Sequence, residues 1–191
     1  MHRRQFFELA ALAAITTITI PGEEVIAMQL PDRQQAFSPM IVKPEEAKVY
    51  NMLGGGEAHL LVTGEKTDGA WFMGRFREDP GFMTHYHYHP NTDEQVYVID
   101  GVLSVYIEDK WHELGPGSLG VMPKGKPHAQ GNRGDKPVHF IGTGAPSGFE
   151  MMFPEVDALM KRTRPGTPEF IAEFQKITSR CDIVSLGPAP K

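Results

Sequence analysis

The chain has 191 residues, 40% of them hydrophobic and 23% charged, and 24 Asp and Glu against 19 Lys and Arg leave a formal charge of −5. That is the balance of a globular protein of about one domain, and 20 Gly with 16 Pro promise many turns without reaching the ~25–30% of a low-complexity chain. No block of Lys and Arg exceeds a pair, so there is no electrostatic reason to expect a nucleic acid or an anionic membrane as partner, and a small or uncharged ligand is the better expectation.

At the N-terminus, Arg3 and Arg4 precede an apolar run from Leu9 to Ile20, which Pro21 and Gly22 end. The run is shorter than the roughly 20 residues that cross a bilayer, so it reads as an export signal and not as a membrane span. Arg3-Arg4-Gln5-Phe6-Phe7 resembles a twin-arginine signal, and Val25-Ile26-Ala27 offers a small-x-small cleavage site. Residues 1–27 would then be a leader and the mature protein periplasmic or exported; a frayed amphipathic arm on a cytoplasmic protein is the other reading. Residues 28–45, with Pro31, Pro39 and Pro44, read as an irregular arm.

From Ala58 onward, short β-type runs recur between turns: His59–Thr63, Ala70–Arg77, Met83–His89, Glu94–Ile99, Val102–Ile107, Ser118–Met122 and Val138–Ile141. Regularly spaced strands without intervening helices imply an all-β sandwich or barrel. After Gly144 the pattern changes. Ser147-Gly148-Phe149-Glu150 has capping-box spacing, Pro154 interrupts the helix that follows, and Thr167-Pro168 opens a second helix with Phe170, Ile171, Phe174 and Ile177 on one face. Leu186 to Pro190 read as a loose tail. The only cysteine, Cys181, excludes an internal disulfide and a thiolate metal site, and reads as a half-buried apolar residue.

Thr84-His85-Tyr86-His87-Tyr88-His89 alternates with period two, which puts three imidazoles on one face of a strand and the tyrosines on the other. Several histidines in register followed by a carboxylate, Glu94, favour metal binding over packing. Met73, Met83 and Met122, with Phe72 and Phe76, are core candidates of which some would line a cavity beside such a metal. Arg75 and Arg77 share a strand face as solvated charges.

Gly81-x5-His87-x-His89-x4-Glu94-x6-Gly101 resembles the first cupin motif, and Gly117-x5-Pro123-x-Gly125-x2-His128-x3-Asn132 resembles the second, both complete. The resemblance implies a cupin β-barrel, a jelly-roll-like double-stranded β-helix over residues 46–146, with residues 147–191 as short helices and a tail packed outside. It implies His87, His89, Glu94 and His128 as ligands of one divalent transition metal per chain, Fe, Mn, Ni, Co, Cu or Zn. Pairing His85 with His87 would break the family spacing to Glu94, so His85 is left as a pocket or supporting residue or as a polar residue at the barrel mouth, with Met83 and Met122 also candidates for the pocket.

The segments Gly54–Glu65 and Pro146–Phe153 are similar to those of single-domain quercetinase-like cupins. That likeness implies a dioxygenase that takes a flavonol or related enolic aromatic substrate and O2, with Glu94 as the base for the substrate hydroxyl and carbon monoxide released as the ring opens. It also implies a homodimer. A metal-dependent cupin isomerase or epimerase, or a non-catalytic metal or small-molecule binder, would use the same four residues.

Overall fold

The computed structural model describes residues 37–191 throughout, with the backbone of residues 15–20 and 23–28; the twin-arginine-like segment at residues 3–7 lies outside the described residues. Strands β1 (Ile15–Ile20) and β2 (Glu23–Met28) pair antiparallel from Ile15 opposite Met28 to Ile20 opposite Glu23. Every residue of β1 is β-branched, which favours an extended backbone.

Residues 40–191 form a separate unit. Its strands are β3 (Lys48–Asn51), β4 (Gly56–Val62), β5 (Phe72–Glu78), β6 (Tyr86–Tyr88), β7 (Asp93–Asp100), β8 (Leu103–Ile107), β9 (Lys110–Leu114), β10 (Leu119–Met122), β11 (Ala129–Gly131) and β12 (Val138–Ala145). They are followed by α1 (Met152–Arg162), α2 (Pro168–Arg180) and β13 (Val184–Gly187). One sheet runs β10-β7-β12-β5-β4-β3. A second runs β11-β8-β9, and the bridges Met83 to Gly131 and His87 to His128 join it to the pair β6-β13.

Alternation decides what lies between the sheets. In β5 the residues Phe72, Gly74, Phe76 and Glu78 are buried while Arg75 is exposed, and in β12 Val138, Phe140, Gly142 and Gly144 face the same way. These pack with Val96 and Val98 of β7 against Leu103 and Val105 of β8, each such burial contributing roughly 1.5–3 kcal/mol. The result is the expected all-β jelly roll with two short C-terminal helices. One motif glycine is required by its place: Gly101 has φ +80°, and a Cβ there would lie 2.7 Å from the carbonyl of Pro137.

Four strands of this unit escape the sequence reading, β3, β9, β11 and β13. In β9, Lys-Trp-His-Glu-Leu has no apolar alternation, and the two-residue turn before it puts Glu108 and Asp109 at φ 50° and 59°, a hairpin conformation normally marked by Asn and Gly. The residues expected as a loose tail begin instead in β13, which pairs with β6.

The C-terminal helices correct three expectations. Ser147 does not cap α1. A 3-10 turn at Phe149–Met151 precedes the helix, and the Glu150 carboxylate accepts from the N–H groups of Gly148 at 2.6 Å and Gly64 at 2.9 Å. Pro154 sits in the first turn of α1, where no backbone N–H has a helical partner, so the helix continues through it. Cys181 is fully buried among Val156, Leu159, Phe170 and Ile177, a small core between the two helices. Thr167 caps α2 as expected, its hydroxyl accepting from Phe170 N–H at 3.2 Å.

Candidate metal centre

The two histidine-bearing segments meet as a β-bridge. His87 N–H donates to the carbonyl of His128 at 2.9 Å and His128 N–H to that of His87 at 2.7 Å. The turn at Pro123–Gly125 reverses the chain into this bridge, with Gly125 at φ +74° and its N–H donating to the carbonyl of His89 at 2.8 Å. Glu94 enters from β7 in the opposite sheet. One ligand atom from each of His87, His89, Glu94 and His128 lies within 4.8 Å of the others, and all four residues are buried or half-buried.

Each imidazole proton is already committed. Nδ1–H of His87 donates to the carbonyl of His85 at 2.7 Å, that of His89 to Asp182 at 2.9 Å and that of His128 to Lys126 at 2.9 Å. Backbone carbonyls only accept, so in the neutral rings the three Nε2 atoms carry lone pairs. Nε2 of His89 and of His128 nevertheless lies 3.2 and 3.0 Å from Glu94 Oε2. Lone pairs converging on a carboxylate require positive charge among them, either extra protons or a cation.

Electrostatics keep the carboxylate ionised and one ring neutral. Burial, reinforced by His128, pushes His87 down to about 4, so its ring is neutral at neutral pH. Burial alone would raise Glu94, but its contacts with His128 and His89 outweigh this and hold the carboxyl well below the usual range. Burial likewise opposes charge on His128, and Glu94 raises it regardless. Three imidazole nitrogens and one ionised carboxylate suit a divalent first-row transition metal.

The C-terminal return holds this cluster. Besides accepting from His89, Asp182 uses its carboxylate to accept from Asn91 N–H at 3.1 Å, Asn91 Nδ2 at 2.7 Å and Thr92 Oγ1 at 2.9 Å. Phe149 stacks on His89 with ring centroids 4.3 Å apart. Nothing in the sequence around Asp182 signals this role, because its partners are about 90 residues away.

A cavity of about 160 Å³ opens beside the cluster and is lined by Phe72, Phe76, Phe82, Phe140, Phe149 and Phe153. His87, His89 and Glu94 lie in its wall, as do His85 and Met83. His85 is separate from the four-residue cluster, with its Nδ1 3.3 Å from Ser185 Oγ and its ring edge-on to Phe174. Met122 does not line the cavity; it stands opposite Glu94 in the β10–β7 register and is buried in the core. Arg77 pairs with Asp79 and, at 3.7 Å, with Glu57, in keeping with a solvated charge.

Two polar residues in the cavity wall go unnoticed in the sequence. Glu78, at the end of β5, accepts at Oε1 from Gln130 Nε2 at 3.2 Å, and burial, with the charge of Glu94 adding to it, pushes its carboxyl up to about 8. Strand alternation was the available signal, since Glu78 follows Phe72 and Phe76 on the inward face and Gln130 follows His128 by two.

Residues 74–143 match the family model described as the cupin domain. Protein SchB of Streptomyces halstedii is 37% identical over 93 residues, which cover 48% of this chain and 67% of that protein. The tetracenomycin polyketide synthase protein TcmJ of Streptomyces glaucescens is 24% identical over 127 residues, 66% of this chain and 78% of that protein. Among solved structures, KdgF from Halomonas sp. superposes with a TM-score of 0.53 at 18% identity over 60% of this chain and 99% of that one, a likeness of fold. The chain belongs to the cupin superfamily.

Proposed function

We propose that this cupin is a metal-dependent dioxygenase of the quercetinase-like kind, acting on a flavonol or a related enolic aromatic compound, with His87, His89, Glu94 and His128 holding one divalent transition metal. The observation that carries the reading is the cavity of six phenyl rings opening onto the four donors, a surface suited to a flat aromatic body more than to a polyhydroxylated sugar. When bound, the metal supplies polarisation of a substrate oxygen and a route for electrons to O2.

The chain's own residues supply the rest. The phenyl rings exclude water and hold the aromatic body, and the histidine Nε2 atoms are kept facing inward by the carbonyls of His85, Asp182 and Lys126. Glu94, ionised at neutral pH, accepts the proton of the substrate hydroxyl at a carboxylate oxygen not engaged in holding the metal.

The test is oxygen uptake with a flavonol, using protein stripped and reloaded separately with Fe, Mn, Co, Ni and Cu. Uptake that matches substrate loss and carbon monoxide release, with one metal clearly best, is the expected result. The second reading, an isomerase or other enolic chemistry without O2, is supported by the same donor set and by a relative named as a polyketide synthase protein. Substrate turnover without oxygen consumption would favour it. His128→Ala is expected to lose stoichiometric metal by elemental analysis, and Glu94→Gln to keep much of it while losing turnover; full activity in Glu94→Gln would remove the base from the scheme.

A further inference from the structure

Two residues in the wall of the cavity each keep a buried polar atom without a partner. Glu78 is 1% exposed and Gln130 8% exposed, and both line the cavity. Their backbones are pinned: Thr84 Oγ1 donates to the Gln130 carbonyl at 3.1 Å and accepts from Gln130 N–H at 2.9 Å, and Asn132 Nδ2 donates to the Glu78 carbonyl at 2.9 Å. Their side chains make one hydrogen bond to each other, at 3.2 Å. The remaining Glu78 Oε2 and Gln130 Oε1 are buried without a partner. A buried polar atom left unsatisfied costs about 1–3 kcal/mol, and two of them on residues that line one cavity call for a ligand group.

We propose that Glu78 and Gln130 form a second anchor in the cavity, which receives a hydroxyl group on the aromatic substrate at a position remote from the oxygen that meets the metal. The proposal rests on the aromatic-substrate reading of the cavity and adds to it which substituted aromatics are accepted. Burial, the larger cause of the raised Glu78 carboxyl, keeps it protonated at neutral pH, and the charge of Glu94 acts in the same direction. Glu78 Oε2 then carries a proton to donate, and Gln130 Oε1 accepts. A hydroxyl is the group that answers both at once, accepting from Glu78 and donating to Gln130. An ionised carboxylate or phosphate on the ligand would leave Gln130 Oε1 facing another acceptor, and a purely apolar aromatic would leave both atoms unsatisfied.

The closing experiment measures anaerobic binding, so that it reads affinity and not turnover, on metal-loaded protein with two probes. One is 3-hydroxyflavone, which has the metal-directed hydroxyl alone; the other is a flavonol with further ring hydroxyls. Wild-type protein should bind the hydroxylated flavonol about ten-fold more tightly, the equivalent of about 1.4 kcal/mol. Glu78→Leu and, independently, Gln130→Leu should abolish that preference while binding 3-hydroxyflavone as before with unchanged metal content, and Glu78→Gln, which still donates and accepts, should retain most of it. Equal binding of both probes by the wild type, or a preference that survives both leucine variants, overturns the anchor and leaves the dioxygenase reading standing. Failure of the wild type to bind either probe overturns the flavonol reading and the anchor with it.

Discussion

Glu78 and Glu94 are two buried carboxyls in one cavity wall with opposite protonation, and their neighbours explain the difference. Glu94 faces His89 and His128, whereas Glu78 faces a neutral amide and an apolar wall. The consequence for stability has a definite sign. In the unfolded chain Glu78 ionises near 4.5, but in the native state it holds its proton up to about 8. Its contribution is therefore fully present below pH 4.5 and is lost as pH rises to about 8, at about 1.4 kcal/mol per unit of displacement. Denaturant titrations of metal-free protein at pH 5 and pH 8.5 should show the wild type losing a few kcal/mol more than Glu78→Gln across that interval. Parallel losses would mean that Glu78 ionises freely. At this scale the four candidate ligand residues were legible because period-two alternation and motif spacing are local; the protonation of Glu78 was not, since it depends on what the opposite sheet packs over it.

At the scale of elements, the shape of the cavity is set by a gap in the six-stranded sheet. Gly74 of β5 and Gly142 of β12 are cross-strand partners, and a Cβ at either would come within 2.9 or 2.7 Å of the Phe76 ring. The absent side chains let Phe76 lie close to the sheet, stacked on Phe140 at 5.3 Å, with both rings in the cavity wall. Gly142→Val should push the Phe76 ring from this position, destabilise by about 1–3 kcal/mol as an overpacked core, and weaken binding of an aromatic probe while leaving metal content unchanged. Calorimetry and a binding titration read the two effects separately, and unaltered affinity would show that Phe76 does not shape the site. The strands that escaped recognition share a cause with this gap. Glycines and short polar runs such as β9 and β11 carry little propensity of their own and are strands because a neighbour supplies the hydrogen bonds.

Across the unit of residues 40–191, the chain after α2 returns to the motif that opened the site. β13 pairs with β6, Ile183 and Ser185 contribute to the cavity wall, and the carbonyl of Asp182 orients His89. A chain ending at Cys181 should keep its sheets, since neither large sheet contains β13. It should bind metal about 10–100-fold more weakly, the usual cost of losing a group that orients a ligand. Circular dichroism with a metal-competition titration tests this, and undiminished affinity would refute the role given to the return.

The sequence alone determined the family resemblance, the four converging side chains, the turn glycines and the all-β class, because each depends on neighbours a few residues apart or on strand periodicity. Tertiary structure decided the rest: that a C-terminal strand rather than a loose tail closes over the histidines, that six phenylalanines spread along the chain from Phe72 to Phe153 meet in one cavity, and that Glu78 is neutral there while Glu94 is charged. The physical reason is that burial, and the desolvation that comes with it, is set by residues distant in sequence, so it is written in no single stretch of the chain.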